Sequence, residues 1–94
     1  MKFGYQTAGR IGSWTILVNR EDSHNKFWAF KRDDNDSSVI VRWGRIGTIG
    51  QSETFNYNIV RNRLNEKLNK GYRYADNSEI TKFFNQEMLT LWQL

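Results

Sequence analysis

Val39-Ile40-Val41-Arg42-Trp43-Gly44-Arg45-Ile46-Gly47-Thr48-Ile49-Gly50 is the stretch from which the rest of this chain can be read. Its three branched residues fit a pleated, half-buried strand surface. Alternation then places Val39, Val41, Trp43 and Arg45 on one side if pairing stays regular. An arginine does not bury readily beside two valines. A bulge or a strand end is therefore expected near Gly44, where glycine permits one. Gly47 and Gly50 remove side chains where a backbone or a ligand comes close. A buried strand has no need of two guanidinium groups around an indole. A surface that binds something flat and anionic does.

Upstream, Trp14, Ile16 and Val18 alternate over residues 14–18 and predict a strand. Residues 20–25 form a polar turn. Residues 26–31 predict a second strand, aromatic on both faces (Phe27 against Trp28 and Phe30), which marks it as central. Residues 33–38 are turn formers and predict a hairpin loop. Their acids do not make a calcium loop: counted from Asp34, Val39 stands where glycine is needed and Arg45 where the closing glutamate belongs. The first thirteen residues are poorly patterned. Gly9-Arg10-Ile11-Gly12-Ser13 echoes Gly44-Arg45-Ile46-Gly47-Thr48, too briefly to count as a repeat.

Downstream, residues 51–57 predict a fourth strand through Thr54, Phe55 and Tyr57. Connections this short make the sheet antiparallel. The period then changes. Val60, Leu64 and Leu68 recur every fourth residue, with Ile59 beside them, and predict a helix over residues 58–70. Asn56 or Asn58 can cap it, Lys67 and Lys70 suit its negative end, and Gly71 stops it. Residues 73–75 can add an edge strand. Asp76 and Glu79 form a capping-box pattern, followed by Ile80, Phe83, Phe84, Met88, Leu91 and Trp92 at helical spacing. The expected fold is α+β: an antiparallel sheet of about four strands, one helix across it over residues 58–70, and a C-terminal helix over about residues 78–92. That last helix either covers the open face of the sheet or offers an apolar seam to a second chain.

At 94 residues the chain makes one small domain with a modest core, and its 15% aromatic content helps to fill it. There is no cysteine, so disulfides and thiolate metal sites are excluded, and an intracellular location (cytoplasm, nucleoid or nucleus) is expected. No apolar run spans a bilayer, and the N-terminus lacks the apolar centre of a signal peptide. The net charge is +4. Residues 42–73 hold seven basic and two acidic residues, a balance of +5, which leaves −1 for the remainder. This asymmetry is the footprint of a polyanion partner, although a solvated surface has the same composition.

No catalytic constellation can be read. Gly44-x-x-Gly47-x-x-Gly50 has the wrong spacing for a dinucleotide fingerprint and lacks the Lys-Ser/Thr of a P-loop. His24, the single histidine, has no thiol partner and is expected at the surface in a turn. Glu21-Asp22 and Asp33-Asp34 are expected to be solvated loop charges. No nucleophile and base pair up, so no enzyme, cofactor or metal is expected.

Trp43-Gly44-Arg45, with Ile46-Gly47-Thr48-Ile49-Gly50-Gln51 after it, resembles the signature of the WGR domain, a module found in poly(ADP-ribose) polymerases and in bacterial proteins. Asn25-Lys26-Phe27-Trp28 upstream and Lys70-Gly71-Tyr72 downstream extend the resemblance at the family's spacing, over residues 14–75. The resemblance implies a DNA-binding module that takes ends, nicks or gaps without reading sequence. The tryptophan matching Trp43 would pack on the sugar at a DNA end, with a 5′-terminal phosphate held nearby. The arginine matching Arg45 would partly couple binding to other domains. The chain is too short to hold a polymerase catalytic domain. The expected DNA-binding residues are Trp43, Arg42, Arg45, Gly44, Gly47, Lys67, Lys70 and Arg73. Trp43 would serve as a stacking platform and the arginines as phosphate forks. The other fate of a strand tryptophan is the core. The alternative function is a protein-interaction module that uses the same basic aromatic face, for example to interfere with a larger DNA-processing or defence complex. The chain would act as a monomer, or as a homodimer through its C-terminal helix.

Overall fold

A computed structural model of the protein describes residues 9–21, 23–32 and 37–93. The acids at positions 22, 33, 34 and 36 lie outside them. The strands are β1 (Arg10–Ile11), β2 (Trp14–Asn19), β3 (Lys26–Arg32), β4 (Ser38–Arg45), β5 (Gln51–Asn56) and β6 (Arg73–Tyr74). They form one antiparallel sheet in the order β1-β2-β3-β4-β5, with β6 also on β2. The sheet thus has six strands, not about four. The two additions are two-residue strands on the same edge of β2: β1 pairs at Trp14 and Thr15, β6 at Leu17 and Val18. β6 falls within the edge strand expected over residues 73–75, whereas β1 is too short to have a periodicity to read. The β3–β4 register runs unbroken from Arg32↔Val39 to Lys26↔Arg45. The strand therefore ends at Arg45 without a bulge against β3.

The central strand β3 is buried on both faces. Trp28 and Phe30 join Leu17, Val39 and Val41 under α1 (Tyr57–Asn69), which contributes Val60 and Leu64. Asn56 caps α1 by accepting from the Ile59 N–H at 3.0 Å, so Tyr57 becomes the first helical residue and not the end of β5. Phe27 and Ala29 face the other way and join Trp14, Ile16, Val18 and Ile46.

That second face is covered by two helices, α2 (Asn77–Phe83) and α3 (Gln86–Trp92), where the sequence predicts one. Asn85 interrupts the run by capping α3, accepting from the Met88 N–H at 3.1 Å. The break lets Ile80, Phe84, Leu89 and Trp92 all reach the sheet. Trp92 stacks on Phe27 (centroids 5.4 Å apart) and meets Trp14 edge-on at 4.9 Å. Most apolar residues of these helices thus cover the sheet of their own chain, while Leu91 is left exposed.

Glu79 ties α2 to the sheet. It completes the capping box with Asp76, and its carboxylate accepts from Arg73 at 2.7 and 2.9 Å and from Arg20 at 3.0 Å. The Arg73 hydrogen bonds, with those from the Asp76 N–H and Arg20, hold this buried carboxyl at about 2 against an ordinary 4.5. A depressed carboxyl contributes stability above its unfolded pKa and loses it as pH falls through the folded one. We expect Glu79→Gln to cost roughly 2–3 kcal/mol at neutral pH, the two arginines being largely open to water. Urea midpoints of parent and variant should converge between pH 4.5 and 2. A gap that persists at the acid end would contradict this.

Candidate nucleic-acid interface

Trp43 lies on the α1 face of the sheet, directly across from Trp28 in the neighbouring strand. It is half-buried, neither sealed in the core nor free of it: one side packs on the Val41 and Trp28 cluster. Its other side opens on a cleft of about 360 Å³ at the corner where β3 begins and β4 ends. Gly44 and Arg45 continue the wall from β4, and Lys26 and Phe27 from β3. Lys67 closes it from the last turn of α1, with Tyr72 below and Ser23, His24 and Asn25 at the rim.

The register makes this corner electropositive. Lys26 and Arg45 are direct cross-strand partners and point to the same face. Like charges directly opposite each other destabilise a sheet. Lys67 adds a third cation. Burial, followed by the charges of Lys70, Arg63 and Lys26, pushes its ammonium below its ordinary value, and Glu66 offsets only part of this. Its Nζ lies 5.0 Å over the Tyr72 ring, and burial raises the Tyr72 hydroxyl above its ordinary value. Three cations are held together around two aromatic faces.

The hairpin beyond Arg45 is set by glycine. Ile46 donates to the Asn25 carbonyl at 2.8 Å and buries its side chain. Gly50 has φ +74°, and a Cβ there would collide with the Trp43 carbonyl and stand 2.8 Å from Phe27. Gly47 (φ +93°) sits at the exposed hairpin tip with open space around it.

Of the eight residues expected from sequence to bind DNA, the structure brings four to the cleft: Trp43, Gly44, Arg45 and Lys67. Lys70 lies near enough to act on Lys67. Arg42 and Arg73 are turned to the opposite face. Arg73 is committed to Glu79. Arg42 donates to the Ile49 and Trp92 carbonyls at 3.2 and 3.3 Å, and burial lowers its guanidinium from the ordinary value. Lys26 and Tyr72 stand in the motifs quoted for the resemblance but are not among the expected binding residues. Alternation with Trp28 puts Lys26 on this face, but only the register, fixed through a loop, sets it against Arg45. Among the described residues no cluster of three or more His, Cys, Asp or Glu could hold a metal, and no helix is long and apolar enough to cross a membrane.

Residues 13–79 match the family model of the WGR domain. The chain belongs to the WGR-domain family. WGR domains are in general nucleic-acid-binding modules. No curated protein matches the chain. A Bacteroides fragilis protein of known crystal structure is similar to it at 25% identity and a TM-score of 0.61, over 74% of this chain. The chain spans about a fifth (21%) of that protein's length.

The crowding at Lys67 has a testable consequence. A cation whose charged form is disfavoured by burial and by its neighbours is expected to contribute little to folding stability. Lys67→Gln should leave the thermal midpoint unchanged or raise it, while weakening binding to any duplex. Melting curves and anisotropy titrations check both. A clear loss of stability would mean that Lys67 serves the fold through Tyr72.

Proposed function

We propose that this WGR domain is a non-enzymatic module that binds DNA at ends or breaks without reading sequence, through the cleft beside Trp43. The observation that carries this reading is the cross-strand pair Lys26 and Arg45 with Lys67 beside them, held around the half-buried Trp43 ring. Mutual repulsion among these cations is relieved by a phosphate, and counterion release adds to the affinity. The exposed side of Trp43 offers a face to a terminal sugar or base, and stacking tolerates any sequence. The cleft, about 360 Å³ and lined by Trp43, Arg45 and Lys67, has room for a terminal nucleotide, and an end can present one there.

Closed circular, nicked and linear forms of one plasmid test this. Linear and nicked DNA should compete for a labelled 5′-phosphorylated duplex in proportion to their ends and breaks, and closed circles poorly. Trp43→Ala should lose about 1–3 kcal/mol of binding, the usual cost of removing an aromatic platform, with Trp43→Phe in between. A folded Trp43→Ala protein that binds as well as the parent would end the stacking role. Equal competition by closed circles would remove end recognition. No affinity for any DNA would turn the same face toward an acidic protein partner.

A further inference from the structure

The hairpin that follows Arg45 is held from the face opposite the cleft. The Arg42 guanidinium spans two carbonyls, Ile49 in the hairpin and Trp92 in the last turn of α3. A cation at the carbonyl end of a helix is well placed against the helix dipole. Arg42 also lies over the Trp92 ring, 5.6 Å from its centroid. Trp92 in turn lies nearly flat on Phe27, with 23° between the planes. The Phe27 ring reaches Gly50, where an added Cβ would stand only 2.8 Å away. α3 therefore reaches the hairpin twice, by hydrogen bonds through Arg42 and by packing through Phe27. The family match ends at residue 79, and α3 begins at Gln86, so this support comes from outside the matched region.

We propose that α3 is a positioning element for the cleft: through Arg42 it fixes the hairpin of residues 46–50, and with it the approach of Arg45. Arg42 is then a positioning residue and not a phosphate ligand. The effect on affinity rests on the DNA-binding reading. The ordering of the hairpin is a property of the free protein.

Two full-length variants test this, Arg42→Gln and Arg42→Lys. In Arg42→Gln, the hydrogen-bonded hairpin amides, those of Ile46 and Thr48, should exchange about tenfold faster in the free protein, as expected for two lost hydrogen bonds, while those of β2 and β3 keep their rates. Affinity for linear duplex should fall by a similar factor with the log–log salt slope unchanged. Arg42→Lys, able to hold one carbonyl, should recover part of both effects. A slope shallower by about 0.9 would make Arg42 a direct phosphate contact and overturn the proposal. Unchanged hairpin exchange, or faster exchange spread over β2 and β3, would overturn it too. If the parent itself binds no duplex, the DNA reading fails alone, and the exchange rates still decide for or against the clamp.

Discussion

Every element of this small fold has to choose a side of β3. Its residues are buried on both faces, Trp28 and Phe30 toward α1, Phe27 and Ala29 toward α2 and α3. Burial of several large aromatics at roughly 25 cal/mol per Å² supplies much of what a chain this short can gather. The strand beside it inherits the same alternation. Val41 and Trp43 must go one way and Arg42 the other. Two adjacent residues of one motif therefore do different work: Trp43 lines a cleft, and Arg42 braces the hairpin from behind.

Charge is divided along the same plane. On the α2 and α3 face the arginines have partners, Arg20 and Arg73 in Glu79 and the two terminal nitrogens of Arg42 in carbonyls. On the α1 face Lys26, Arg45 and Lys67 gather with Glu66 as the acid that acts on Lys67. Total charge does not reveal this contrast. A guanidinium bound to a buried carboxylate contributes to stability, whereas cations facing each other repel, a repulsion that a bound anion would relieve.

The class of fold, the central place of β3, the α1 stripe of Val60 and Leu64 and the Asp76–Glu79 box were legible because each rests on period or local chemistry. The edge strand at residues 73–75 was legible too and is β6, but β1 was not, because it is two residues long and owes its pairing to β2. The break at Asn85 was hidden by an apolar spacing that continues across it. At the cleft, Trp43, Gly44, Arg45 and Lys67 were found through the motif and the helix end. Arg42 and Arg73 were grouped with them because charge along a sequence does not say which face it occupies. Lys26 needed the register, which depends on a loop that sequence does not fix.

The most direct measurement follows the four indole N–H signals, from Trp14, Trp28, Trp43 and Trp92, while a short 5′-phosphorylated duplex is added to isotope-labelled protein. The account predicts that the Trp43 indole and the amides of Lys26 and Arg45 shift in step with saturation. The indole of Trp14, buried on the opposite face, should stay in place. Shifts concentrated on α2 and α3, around Arg20 and Lys82, with Trp43 unmoved, would contradict it.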